Sequence, residues 1–304
     1  MGMYVPIVGA GVAEIFNIEH NLMLDLSMLA LCTSLFAYSV YKGIYNGIRV
    51  ISNANILMSL VFLIAVLSFG PAYEILALTF NSLKEIWINF IGMNTLGIME
   101  KSKFAEDWTV FYWAWWLALG PYMGIFICKI SRGRTLRQLI LGVLFFGTLG
   151  CTICIAILSG YSLFLEQEQG MGIVDSFNNN KHSVVILVLT SLTLGEWILP
   201  FFFLLCISFA ATTYDSASYT LAAAATIKLK PSEHPTRWHR VVWAVVLGFL
   251  PLFLLLLTHL TGENDQDSVL LLLQTASVAV SVPILLIGII MMVSLTMLLF
   301  KYET

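Results

Sequence analysis

Two stretches of this 304-residue chain hold side chains whose types and spacing could do chemistry. The first is Asp107 to Gln138, DWTVFYWAWWLALGPYMGIFICKISRGRTLRQ. On a helix, Tyr112, Trp116, Leu119 and Met123 follow the spacing i, i+4, i+7, i+11, so they share one face with Trp115 beside them. Indole faces attract quaternary ammonium groups, each contact contributing about 0.5 to 2 kcal/mol, and several rings select a permanent cation that cannot donate hydrogen bonds. An interfacial aromatic belt accounts for Trp108 and Tyr112 near one end. It does not account for Trp113, Trp115 and Trp116, which lie deeper, and of these Trp113 points elsewhere on the wheel. Gly120-Pro121 is expected to interrupt the helix, with Tyr122 just beyond the break as a further candidate.

The second stretch is Phe209 to Thr220, FAATTYDSASYT. Asp215 is an acid within an apolar span, flanked by the hydroxyls of Thr212, Thr213, Ser216 and Ser218. An intramembrane acid is a functional-site candidate, because insertion costs about 2.5 to 3.5 kcal/mol at mid-span. The plainer reading is that it orders the cytoplasmic end of its helix through local hydrogen bonds. The hydroxyls carry more information: Thr and Ser oxygens with freed backbone carbonyls suit a small hard cation such as Na+. Glu196, just ahead of the span, reads as a helix-start residue complementing the dipole.

The elements that must position these residues are membrane helices. With 59% hydrophobic and 11% charged residues the composition is that of a polytopic membrane protein. A net charge of -3 says little here, because charge position matters more than its sum, and no basic tail invites nucleic acid. The N-terminal MGMYVPIVGAGVAEIF lacks the basic region of a signal peptide, and Pro6 stands where a myristoylation signal wants Ser or Thr. It is shorter than a span and is expected to be the second half of a helix. Full spans are expected at Leu22 to Tyr41, Asn55 to about Leu78 with a Gly70-Pro71 kink, the Trp-rich segment, Leu139 to Leu158, Trp197 to Ile227, Val241 to Leu260 and Val269 to Phe300. Asn81 to Asp107 reads as an interfacial helix, and Ser183 to Thr193 as too short to cross.

Loop charge gives the orientation. Lys42 and Arg49, the cluster Lys129, Arg132, Arg134 and Arg137, then Lys228, Lys230, Arg237 and Arg240, and finally Lys301 fall in alternate loops. The intervening loops carry Glu14, Glu19 and Asp25, then Glu166, Glu168 and Asp175, then Glu263, Asp265 and Asp267, with only Lys84, Lys101, Lys103 and Lys181 as basic residues. The alternation follows the positive-inside rule and puts the C-terminus in the cytoplasm. Cys32, Cys128, Cys151, Cys154 and Cys206 all lie in apolar segments and read as packing residues, the Cys151/Cys154 pair included. Neither a Ser-His-Asp order, HExxH, a phosphate loop nor a paired CxxC is present, and the five histidines are scattered in loops or at span ends.

The motifs WTVFYWAWW at Trp108 to Trp116, ISRGRTLRQ at Ile130 to Gln138, GIRVISNAN at Gly47 to Asn55 and TTYDSAS at Thr212 to Ser218 resemble the betaine/choline/carnitine transporter family. The similarity runs from the first residues to about Phe300. It implies an all-α membrane protein with a LeuT-like inverted-repeat transporter fold, beginning midway through the family's fifth helix. Residues 1–107 would then be the remainder of the first repeat, and 108–304 the complete second repeat with a short cytoplasmic tail. By resemblance Trp115 and Trp116 line the ammonium site and its access path, Phe111 is an outer-gate aromatic, and Phe209 (through its carbonyl), Thr212 and Thr213 form half of a sodium site. Leu119 stands where betaine carriers have another Trp, and Met123 where carnitine exchangers place a substrate-contacting Met. The family's fourth-helix tryptophans and glycine-rich third helix have no counterpart here. The resemblance implies a plasma-membrane secondary transporter of a quaternary-ammonium solute, Na+-coupled and not an enzyme, with a homotrimer as the family's assembly. Sodium-independent exchange, or a truncated remnant that transports nothing, are the alternatives.

Overall fold

A computed structural model of the chain describes residues 4–16, 18–42, 49–95, 105–131, 133–179, 181–229, 233–261 and 266–303. Arg132, Lys230, Glu263, Asp265 and the first part of the GIRVISNAN motif lie outside these described residues, as do Lys101 and Lys103. Among the described residues every regular element is helical. Among the described residues, six helical runs are long and apolar enough to cross a membrane: Leu22–Tyr41, Arg49–Phe69, Trp108–Ile130, Leu136–Gln167, Gly195–Ala224 and Thr275–Leu298. The multi-pass reading holds.

The chain forms two compact units, one from residues 1–83 and 131–261, the other from 84–130 and 262–304. In the first, α1 (Tyr4–Phe16), α2 (Leu22–Lys42), α3 (Arg49–Phe69) and α12 (Arg237–Thr261) surround α11 (Gly195–Ala224). Two apolar cores hold them. One joins Phe62, Leu63 and Val66 to Ile157, Tyr161, Leu165 and Phe203, and the other joins Leu29, Cys32, Phe36 and Val40 to Ala211 and Ala244. Lipid tails are as apolar as these side chains, so close packing decides the contacts. Gly11 of α1 is one such point: a Cβ there would lie 1.8 Å from Phe203 Cζ, so only glycine admits the ring. In the second unit α6 (Phe111–Ile130) packs along α13 (Gln266–Glu303). At 38 residues, α13 is about 57 Å long, almost twice the hydrocarbon thickness, and it stays helical through Pro283.

Several expected boundaries move. The span expected at Asn55 to Leu78 is Arg49–Phe69 instead, and the chain turns at Gly70-Pro71 before α4 (Ala72–Ile88). The internal kink expected at this pair is instead the end of the helix. Here Pro71 begins a new helix, its carbonyl accepting from the Ile75 N–H at 3.0 Å. The amphipathic helix thus starts nine residues earlier than Asn81, and α5 (Phe90–Thr95) follows it. The expected break at Gly120-Pro121 is absent: α6 is one helix from Phe111 to Ile130 with Pro121 inside it. Proline's fixed φ is compatible with a helix, and the lost hydrogen bond and local crowding are absorbed. The irregularity sits earlier, in a π-helical turn at Ala105–Val110. The Leu139 to Leu158 span extends over α7 (Leu136–Gly142), a π-helical turn and α8 (Thr148–Gln167). Its start is a capping box, with Thr135 Oγ1 accepting from Gln138 N and Gln138 Oε1 accepting from Thr135 N, each at 3.2 Å. Glu166 therefore belongs to the last turn of α8, where its carboxylate receives the Ile173 N–H. Between the clustered basic residues, the Arg134 N–H donates to the Ser131 carbonyl at 3.1 Å and Gly133 takes φ 87°.

Candidate functional site

The aromatic face lies on α6 and the turn before it. Trp108 stacks on Tyr112 with centroids 6.0 Å apart and planes 17° from parallel, and Tyr112 on Trp115 at 6.2 Å and 26°. Phe111 joins from the side, 5.4 Å from Tyr112 and 5.5 Å from Trp115. Rings one helical turn apart with near-parallel faces follow from the i, i+3 and i+4 spacing. Together they form a ladder of π surfaces rising along the helix. Ala114 is the buried residue of α6, three residues on from half-buried Phe111 and beside it on the helical wheel, while Tyr112 and Trp115 are exposed. Trp115 is 38% exposed and Trp116 63%, with Leu119 exposed and Tyr122 and Met123 half-buried. Trp116, Leu119 and Met123 continue the face beyond the stacked rings, while Trp113, 67% exposed, points away from it.

The oxygen site lies on α11. Thr212 and Thr213 both donate to the Phe209 carbonyl, at 2.9 and 3.0 Å, so two hydroxyls and a carbonyl share one turn. This is the usual i−3/i−4 bond of a helical Thr, doubled on one acceptor. Phe209 and Thr213 are exposed and Thr212 is half-buried, so this turn is the open edge of its unit. One turn on, the environment closes. Asp215 has no exposed surface, and its Oδ2 accepts the Ser39 hydroxyl from α2. The other oxygen, Oδ1, has no hydrogen-bond partner among the described residues, nor has Oδ1 of Asn55 or Nε of buried Arg240. Ser216 donates back to the Thr212 and Thr213 carbonyls, and Ser218 to the Asp215 carbonyl.

The structure thus gathers Trp108, Phe111, Tyr112 and Trp115 into one stack, and Phe209, Thr212 and Thr213 into one turn. Asp215 is tied to a second helix through Ser39, which goes beyond the local hydrogen bonds the sequence suggests. Sequence reasoning missed two further participants, Ser39 and Asn55. Asn55, 3% exposed, donates its side-chain N–H groups to the Ser208 carbonyl at 3.1 Å and to Thr212 Oγ1 at 3.3 Å. An asparagine followed by the apolar run ILMSLVFLIAV is the signal that could have found it, since a primary amide in a span needs partners. The oxygen set itself is chemically apt for a small hard cation, being neutral, compact and partly open.

Comparison with known proteins adds the lineage. A family model described as "BCCT, betaine/carnitine/choline family transporter" matches residues 1–304. The ectoine/hydroxyectoine transporter of Virgibacillus pantothenticus is 27% identical over 304 residues, 100% of this chain and 58% of that protein. The probable glycine betaine transporter of Desulfitobacterium hafniense (strain Y51) is 26% identical over 97% of this chain and 57% of its own length. The betaine/ectoine transporter LcoP of Corynebacterium glutamicum is 30% identical over 97% of this chain and 45% of its own. The chain therefore spans about half the length of the relatives it matches, and these relatives are transporters.

Proposed function

The chain belongs to the betaine/carnitine/choline transporter family, and from that premise we propose that it supplies one side of a secondary carrier for quaternary-ammonium or related zwitterionic solutes. The observation that carries the reading is the ladder of Trp108, Tyr112 and Trp115, centroids about 6 Å apart, with Trp116 continuing its face. A trimethylammonium head has no N–H to satisfy, so it loses its water at little cost against π faces. Trp115 and Trp116 would hold this head, with Phe111, Tyr112, Leu119, Tyr122 and Met123 shaping the path around it. Leu119 is aliphatic where a further ring would thicken the cage, which widens the accepted solutes. The names of the relatives extend the candidates to glycine betaine, carnitine and ectoine, whose positive charge is in each case diffuse.

The coupling ion in this reading is Na+, held by the Phe209 carbonyl and the Thr212 and Thr213 hydroxyls. Both hydroxyl protons point at that carbonyl, and both can rotate away to turn oxygen lone pairs toward a cation. Residues 108–304 would constitute the second repeat of an inverted-repeat fold, with Lys301 and the C-terminus in the cytoplasm.

The test is uptake of radiolabelled glycine betaine, choline, carnitine and ectoine by cells expressing the full open reading frame that carries this chain. Replacing Trp115 and Trp116 together by Leu removes about 1 to 4 kcal/mol of cation–π attraction, an affinity loss of about 5-fold to 900-fold. Uptake of a quaternary-ammonium substrate at sub-saturating concentration should fall at least about 5-fold. Near-normal uptake by the double variant would refute the assignment. Uptake that is normal in wild type without Na+ would instead assign exchange.

A further inference from the structure

The α11 turn is not isolated. Asn55 of α3 reaches it from 157 residues away in sequence, and brackets Phe209 by holding the residue before it and a residue three after it. Both N–H groups are used on α11, one on the Ser208 carbonyl and one on Thr212 Oγ1. The asparagine is itself fixed in place. It is 3% exposed, and its backbone carbonyl accepts the Ser59 hydroxyl at 2.7 Å. Within an apolar helix pair, an amide with two cross-helix bonds has no cheap alternative position.

The chemistry at Thr212 gives this bond a consequence. Its hydroxyl proton is directed at the Phe209 carbonyl, and one lone pair of its oxygen receives the Asn55 amide. A cation taking the Phe209 carbonyl must drive the Thr212 proton off that carbonyl, because both seek the same lone pairs. With the Asn55 N–H pinning the oxygen, the proton can swing while Oγ1 stays. Without that N–H the whole side chain is free to change rotamer and carry Oγ1 away. The Ser208 carbonyl, held by the same amide, fixes the backbone just ahead of Phe209.

We propose that Asn55 is a positioning residue for the cation site of α11, holding Thr212 Oγ1 and the Ser208 carbonyl from α3 so that occupancy of the site is felt by a second helix. This rests on the reading that Phe209, Thr212 and Thr213 bind the coupling ion. It assigns to α3 a share in ion affinity, and to the Asn55–Thr212 bond the link between ion binding and the placement of α3 against α11.

The experiment measures equilibrium binding of radiolabelled Na+ to the purified protein of the full reading frame, alongside the Na+ dependence of uptake. Asn55→Leu removes both donors at similar volume. It should weaken Na+ binding by about 3- to 10-fold, the equivalent of one hydrogen bond, and raise half-saturating Na+ equally. The substrate concentration for half-maximal uptake at saturating Na+ should be unchanged. Asn55→Gln, which keeps the amide, should recover part of the loss. A merely structural role would lower yield and melting temperature without moving the ion dependence. If Asn55→Leu does not fold, Asn55→Ser, whose short hydroxyl cannot hold both partners, should weaken Na+ binding in the same way; wild-type Na+ binding in folded Asn55→Ser overturns the proposal. Wild-type Na+ binding in Asn55→Leu, with weakened binding in Thr212→Val plus Thr213→Val, overturns this inference alone. Unchanged binding in the threonine pair overturns the cation site itself, and the inference with it.

Discussion

Removing the Ser39 hydroxyl is the sharpest test of how α2 and α11 are joined. Asp215 has no exposed surface, one of its oxygens is without a hydrogen bond among the described residues, and the other depends on Ser39. Ser39→Ala therefore leaves a buried carboxyl group with neither oxygen satisfied by a side chain. In soluble proteins a hydrogen bond to a charged group contributes about 1.5 to 3 kcal/mol. Between membrane helices the average is about 0.6 and the maximum about 1.7, because the unfolded chain also finds partners in the bilayer. Complete burial puts this bond at the upper end of the membrane range, so Ser39→Ala should cost about 1.5 kcal/mol, more than tenfold in the unfolding equilibrium. Asp215→Leu, which takes the acceptor away and leaves the Ser39 hydroxyl without it, should cost at least as much. The double variant should cost no more than Asp215→Leu alone, since the serine then has nothing left to lose. Unfolding by SDS titration of the purified protein in mixed micelles, followed by far-UV circular dichroism, measures all three. The reasoning fails if Ser39→Ala is within about 0.5 kcal/mol of wild type, or if the two single costs add, either result meaning that the tie does not hold the helices.

Two further outcomes follow from packing and capping. Gly11→Ala should destabilise the first unit by at least the 1 to 3 kcal/mol typical of overpacking, about the same range in membrane and soluble cores, because the new Cβ would meet the Phe203 ring at 1.8 Å. Phe203→Leu, which withdraws the ring, should recover part of that loss only in the Gly11→Ala background, as read from the same SDS titration. Thr135→Ala removes the capping-box oxygen from Gln138 N and should cost about 1 kcal/mol at the start of α7. Faster amide exchange confined to the first turn after Thr135 is the expected signature in hydrogen-exchange mass spectrometry, and protection equal to wild type would show the cap to be idle.

How much of this was legible in the sequence depends on the range of the interaction. Hydropathy alone places α2 and α11 to within about three residues, because a membrane demands a continuous apolar run and nothing distant can change that. The ring ladder was legible only in part: the expected face ran through Tyr112, Trp116, Leu119 and Met123, whereas the stack runs through Trp108, Tyr112 and Trp115. Gly70-Pro71 was misread as a kink, since a kink and a stop have the same local chemistry; after the turn Ile75 packs against Gly160 of α8, a contact no local rule supplies. The unbroken path of α6 through Pro121 and the π-helical turn before it were likewise beyond local rules. Least legible were the cross-helix bonds. Ser39 to Asp215 spans 176 residues and Asn55 to Thr212 spans 157, and no spacing rule connects residues so far apart. What the sequence offers there is only the anomaly of a polar side chain in an apolar run.

That anomaly is the more informative signal in a membrane protein. Exposed apolar residues are uninformative in lipid, where Trp87 or Phe146 on an outer face needs no explanation. A buried polar residue must be paired, and the pairing names the helices that move together. Of the eight buried polar or charged residues described, Asp215, Ser218 and Thr220 are on α11, while Ser39 and Asn55 hydrogen-bond to it from α2 and α3. Helix α11 thus carries a polar spine whose partners lie on two neighbours, and sliding it would break bonds that no water is present to replace. The open turn at Phe209, Thr212 and Thr213 sits at the edge of this spine, one turn from its sealed part. Under the proposal above, a cation entering that turn would act directly on the Asn55 bonds between α3 and α11, which is the physical requirement for ion binding to bias a helix packing.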